Sequence, residues 1–140
     1  AFGTSENGND YLFYGTAEGT VEYSTDGSTF SKLESINDEI VSMDTVDFDN
    51  NGLADFLIVG TNNGYQEADI TGPDTGWNLR SPSSSTSDAS GSSEFAAAYP
   101  DLAYTFVFDV ERSADDNGEF YLATGNGLWK RNTDSSFSKM

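Results

Sequence analysis

The sequence predicts an all-β fold built of about three similar units. Short runs of β-forming residues recur along it, each followed by a Thr-and-Gly turn. Gly, Asn, Asp, Ser and Thr are frequent and Pro occurs only 3 times in 140 residues, which suits many short strands joined by turns. No segment sustains a 3.6-residue apolar period, and residues 94–99 are expected to make one helical turn at most.

The first run is Asp10-Tyr-Leu-Phe-Tyr-Gly-Thr-Ala-Glu-Gly19. It recurs as Asp55-Phe-Leu-Ile-Val-Gly-Thr-Asn-Asn-Gly64 and as Glu119-Phe-Tyr-Leu-Ala-Thr-Gly-Asn-Gly127. Each copy opens on an acid and continues with apolar and aromatic residues. The run is too short for a helix, so it reads as a buried strand. The small residue, Thr and Gly that follow predict a tight turn into a second strand. A second feature comes after it. Ser24-Thr-Asp-Gly-Ser-Thr-Phe30 recurs as Thr133-Asp-Ser-Ser-Phe137 and, more weakly, as Thr71-Gly-Pro-Asp74-Thr-Gly-Trp77. An Asp, small turn residues and then an aromatic predict a hairpin closed on itself. The carboxylate accepts backbone N–H groups, and the aromatic plugs the core.

The first two runs lie about 45 residues apart, the length of a four-stranded β-propeller blade. The next spacing is longer by a Ser-rich insertion at 81–93. That stretch has too little apolar surface to order itself, so it is expected to be exposed or glycosylated. The repeats then cover about 1–44, 45–95 and 96–140. A closed propeller takes roughly four to eight blades. Three units are therefore expected to form an incomplete propeller with open sheet edges, completed by further blades or by copies of the same chain.

Composition narrows the function. Acidic residues number 24 against 6 basic, a net charge of −18, so nucleic acid and anionic membrane surfaces would be repelled. The acid either binds cations or keeps the surface hydrated. With no Cys there is no disulfide, thiolate zinc site or Cys nucleophile, and with no His the usual general base and transition-metal ligand are missing. No apolar run approaches the roughly 20 residues that span a bilayer. The opening at Ala1, with no basic-plus-apolar leader, is expected of a processed product or a segment of a longer protein.

Two family resemblances are visible. Ser24-Thr25-Asp26-Gly27-Ser28-Thr29-Phe30 resembles the Asp-box of sialidase-type (BNR) propellers, with degraded copies at Asp74 to Trp77 and Asp134 to Phe137. In that family the box is a structural hairpin, so the resemblance implies fold rather than activity. Asp47-Phe-Asp49-Asn-Asn51-Gly52-Leu53-Ala-Asp55-Phe-Leu-Ile-Val-Gly60 resembles the FG-GAP/VCBS propeller repeat of integrin-type α-subunits. That resemblance implies a calcium loop leading into a strand.

The residues themselves suit Ca2+. Calcium takes six to eight hard oxygen ligands in a forgiving geometry. Alternate residues of a tight loop direct Asp47, Asp49 and Asn51 toward one centre, Gly52 permits the turn, and the Leu53 carbonyl and Asp55 complete the shell. A second, less regular acidic cluster is formed by Asp109, Glu111, Asp115, Asn117 and Glu119. Catalysis is not expected. The three arginines, Arg80, Arg112 and Arg131, are too scattered for a sialidase triad, and abundant carboxylates alone do not make a glycosidase pair. Trp77 sits at an Asp-box aromatic position and reads as core, whereas Trp129 is a candidate for stacking on a sugar ring. The expected function is a non-catalytic, calcium-stabilised structural or adhesion module, extracellular or on a cell surface. It would assemble with copies of itself or with further blades as a filament or scaffold subunit. A lectin-like module holding a glycan or a protein is the alternative, and a glycoside hydrolase fragment the third reading.

Overall fold

The computed structural model describes residues 1–80, 93–114 and 118–140. Its strand content is 49% against 8% helix, and the strands form three antiparallel sheets, none closed. Each sheet is a meander, with strands adjacent in sequence paired side by side. The first contains β1 (Phe2–Thr4), β2 (Asp10–Gly15), β3 (Thr20–Ser24) and β4 (Ser31–Ser35). The second contains β5 (Ile40–Val46), β6 (Phe56–Thr61) and β7 (Gly64–Asp69). The third contains β8 (Val107–Arg112), β9 (Phe120–Thr124), β10 (Gly127–Arg131) and β11 (Phe137–Lys139).

Two details differ from expectation. The second sheet has three strands rather than four. What stands in place of a fourth is a single bridge between Glu67 and Arg80, whose backbones exchange both hydrogen bonds. The segment near 94–99 holds two short helices, α1 (Ser93–Ala98) and α2 (Pro100–Ala103), where one turn at most was expected. Phe95 and Tyr99 pack on the second core, and Pro100 restarts the helix at a position where no N–H is needed. The Ser-rich stretch, Ser93 apart, lies outside the described residues. β5 straddles the repeat boundary expected at 44/45.

The sheets stack in chain order, with one core in each gap. Tyr11, Phe13 and Val21 of the first sheet meet Leu57, Val59 and Ala68 of the second, with Trp77 and Leu79 closing the side. Ile58 and Tyr65, on the opposite face of the second sheet, meet Phe120, Leu122 and Trp129 of the third. β6 is therefore covered on both faces and reads as a continuous apolar run, as a central strand should.

Two of the turns share the same hydrogen bonds, and counting from them shifts the alignment of the third run. The Thr61 hydroxyl donates to the Gly64 carbonyl and accepts from the Asn63 N–H. Thr124, Gly127 and Asn126 make the same pair of bonds. Counting back from these threonines and from Thr16, Leu12, Leu57 and Phe120 are equivalent, as are Tyr14, Val59 and Leu122. The third run is one residue short before its turn, so Phe120 matches Leu57 and not Phe56 as the plain alignment has it.

Gly15 and Gly60 are also equivalent. A Cβ on Gly15 would lie 2.3 Å from Ile40 Cγ2, and one on Gly60 would lie 2.8 Å from Val107 Cγ1. Ile40 and Val107 open the first strands of the following sheets, so each glycine lets the next sheet approach closely.

Candidate metal centre

The loop between β5 and β6 is closed by its own first acid. Asp47, 6% exposed, accepts the Asn50 N–H (2.7 Å) and the Asn51 N–H (3.3 Å) on Oδ1, and the Gly52 N–H (2.7 Å) on Oδ2. Asn50 (φ 59°) and Gly52 (φ 88°) take the left-handed backbone that this tight path demands, which only Gly and Asn adopt readily. The Asn51 side-chain oxygen accepts the Leu53 N–H, and Asp55 Oδ2 accepts the Phe48 N–H at 2.7 Å.

Sequence reasoning missed one member of the site. Glu6, in the turn between β1 and β2, reaches this loop from the first sheet. A parallel bridge between Ser5 and Ala54, with the Ala54 N–H donating to the Thr4 carbonyl, holds the turn there. Carboxylate oxygens of Glu6, Asp49 and Asp55 all lie within 4.8 Å of one another. Oxygens sharing one calcium at about 2.3–2.6 Å lie no more than about 5 Å apart, so the three fit a common ion. The Asn51 amide nitrogen lies between them, 2.6 Å from Glu6 Oε1 and 3.2 Å from Asp49 Oδ2.

The electrostatics are unbalanced. The Asp49 carboxyl is pushed above its usual range, first by desolvation, then by the neighbouring Asp47 and Glu6. Asp55 is pushed up as well, by burial first and then by the charges of Asp49 and Glu6. No basic side chain is paired with this cluster; both salt bridges among the described residues, Arg80 to Glu67 at 3.6 Å and Lys130 to Glu119 at 2.9 Å, lie elsewhere. Of the expected ligands, then, Asp49 and Asp55 converge with Glu6. Asp47 is turned to the backbone, Asn51 presents its nitrogen, and Leu53 is half-buried with its N–H bonded inside the loop.

The second acidic cluster is not assembled among the described residues. Asp109 accepts the Ser42 hydroxyl at 2.9 Å, Glu119 is paired with Lys130, and Glu111 stands exposed on β8. Asp115 and Asn117 lie outside the described residues.

The Asp-box residues divide. Asp26 Oδ1 accepts the Ser28 and Thr29 N–H groups and the Ser24 hydroxyl, with Gly27 at φ 75°, which is the self-closed hairpin expected. Phe30, however, does not plug the core. It is 37% exposed and stacks edge-on against Tyr14 on the outer face of the first sheet, because the chain leaves the hairpin on that side. Asp134 accepts the Ser136 N–H and hydroxyl, and Phe137 packs half-buried on the second core. The middle copy is no hairpin. Asp74 opens a 3-10 turn and accepts the Tyr11 hydroxyl, while Trp77 is buried against Tyr11, Phe13 and Tyr23.

Trp129 is also buried, at 7% exposure, and is not free to stack on a sugar. It lies opposite Leu122 on the inward face of β10, with Tyr99 edge-on and the Lys139 ammonium over its ring. Arg80 and Arg131 are held structurally, by Glu67 and Phe56 and by Phe48 and the Gly118 carbonyl respectively. Among the described residues, no helix is long and apolar enough to cross a membrane. No family model, curated protein or solved structure gives a significant match to this chain, so the FG-GAP/VCBS and Asp-box likenesses rest on the residues quoted above.

Proposed function

We propose that this protein is a non-catalytic, calcium-braced structural module of propeller-type blades, working outside the cell and assembling with copies of itself. The observation that carries the calcium reading is the convergence of Glu6 with Asp49 and Asp55. Glu6 belongs to the first sheet, and the two aspartates belong to the loop that enters the second. An ion held there neutralises three carboxylates that have no basic partner and ties two sheets together. Glu6 and Asp49 are exposed, so the site is open to water and suits the weak, roughly 0.1–1 mM calcium affinities of extracellular modules. The stacking of three unclosed sheets in chain order supports the propeller reading and leaves the ends of the stack to be covered.

Calcium should raise the melting temperature and chelator should lower it. At a calcium concentration about a hundredfold above Kd, the gain is about 2.7 kcal/mol. Asp55→Asn should abolish the response and Glu6→Gln should weaken it. Asp26→Ala should leave it unchanged. Identical melting curves in calcium and in chelator would remove the site.

A polyol-binding reading is favoured by one groove of about 400 Å3, lined by Tyr23, Ser24, Thr25, Asp26, Thr29 and Asp74. Hydroxyls and two carboxylates around an aromatic edge match the hydrogen-bonding pattern of a sugar. Retention on a glycan array that is lost in Asp74→Ala would put this reading first.

A further inference from the structure

The two uncovered faces of the stack are the two halves of a contact the chain already makes twice. In the first internal contact, the face of the first sheet carrying Phe13 and Val21 meets the face of the second carrying Leu57 and Val59. In the second, the face carrying Ile58 and Tyr65, equivalent to Phe13 and Val21, meets Phe120 and Leu122, equivalent to Leu57 and Val59. Both contacts thus join the same two kinds of face in the same order.

One face of each kind remains. Leu12 and Tyr14 are the equivalents of Leu57 and Val59 and of Phe120 and Leu122. Those four residues are fully buried, at 0% exposure, whereas Leu12 is 41% and Tyr14 42% exposed. At the other end of the stack, Leu128 is the equivalent of Val21 (0%) and Tyr65 (4%), yet it is 44% exposed. Beside Leu128 in the register is Ala123, at the position where Gly15 and Gly60 let the next sheet come close. Ala123 carries the Cβ that Gly15 and Gly60 lack, so a sheet docked on this face sits slightly further out than in the two internal contacts. Phe2 and Phe30 extend the apolar patch on the first sheet, and Phe108 stands exposed beside Ala123's partner Asp109 on the third.

We infer that the outer face of the first sheet docks onto the outer face of the third sheet of a second copy, head to tail, by face packing and not by strand addition at a sheet edge. This rests on the self-assembly put forward above and specifies its surfaces. Such a contact is heterologous, so repeating it closes a ring or runs on as a filament. Two copies bring six sheets together, within the roughly four to eight of closed propellers, so the ring of two is the expected product.

The test uses two charge insertions, Tyr14→Arg on the first face and Leu128→Arg on the last. Both sites are exposed, and far-UV circular dichroism should show each variant folded. By multi-angle light scattering the unmodified chain should run as a dimer. Each variant alone should run as a monomer, because each has only one usable face and it is of a different kind in the two. An equimolar mixture should recover a one-to-one dimer, weaker by at least tenfold because one contact replaces two. A monomeric unmodified chain at high concentration would overturn self-assembly itself. Dimers or polymers that neither substitution disturbs would leave self-assembly standing and overturn the face assignment. Self-association of either variant alone would overturn the head-to-tail arrangement.

Discussion

The Asp26 hairpin and the 47–55 loop begin with the same chemistry and end in opposite electrostatic states. Each is a tight turn led by an aspartate, and each needs a glycine at positive φ, Gly27 in one and Gly52 in the other. In the hairpin a single carboxylate collects the Thr29 and Ser28 N–H groups and the Ser24 hydroxyl. Those donors hold it well below the usual carboxylate range. In the longer loop Asp47 plays that part, and the donors it collects are then no longer available to others. Asp49 and Asp55 are desolvated first of all, have a weaker share of the backbone and face Glu6 as well, so their carboxyls are pushed upward. A turn of this size neutralises one acid through its own N–H groups. Any further acid is surplus charge, and surplus charge beside hard oxygen ligands is what a divalent cation relieves.

The sharpest way to break this comparison is to remove the leading acid from each turn. Asp47→Ala strips acceptors from the Asn50, Asn51 and Gly52 N–H groups in a partly buried loop, and should lower stability by about 2–4 kcal/mol. The deficit should persist in saturating calcium, since it comes from the backbone. Asp26→Ala should cost less, because the freed Ser28 and Thr29 N–H groups face water. Urea denaturation of the two variants side by side reads the difference. An equal or larger loss at Asp26 would mean the two turns are not ranked by burial.

The sequence made the strands legible wherever a run of β-formers ended on a Thr-to-Gly turn, and β2, β6 and β9 fall there. It also made Asp26 legible, because the bonds of that hairpin are local. Glu6 was hidden since its approach to the loop depends on the bridge between Ser5 and Ala54, a contact between two sheets. Phe30 and Trp129 failed for a related reason. An aromatic beside a turn does not say which face it takes, and a side-chain period of two makes the answer turn on register. The register of β10 puts Trp129 opposite Leu122 and so inside, while Leu128 beside it faces out. The single-residue deletion before Thr124 exchanges the two faces of the plain alignment. Only with that shift restored do the equivalences of Leu12, Leu57 and Phe120 appear.

A pH series in chelator sharpens the comparison most finely, because the two turns should respond with opposite signs. Asp55 binds its proton more tightly in the folded than in the unfolded chain, since its folded pKa is raised. Its contribution is therefore fully present below the unfolded value near 4 and is lost as pH rises through the folded value. Asp55→Asn keeps an oxygen for the Phe48 N–H and removes the charge, so at neutral pH without calcium it should stabilise the protein. That gain should shrink as the medium is acidified toward pH 4. Asp26 has the lowered folded pKa, so its contribution is present above the unfolded value and is lost as pH falls toward the folded one. Asp26→Asn should then destabilise at neutral pH, with the deficit narrowing on acidification. Melting temperatures of the two variants relative to the unmodified chain should approach it from opposite sides as pH falls. Calcium should invert the Asp55→Asn difference alone, because only that carboxylate stands in the cluster with Glu6 and Asp49. Curves that move in the same direction would show that the surplus charge of the loop is already balanced without an ion.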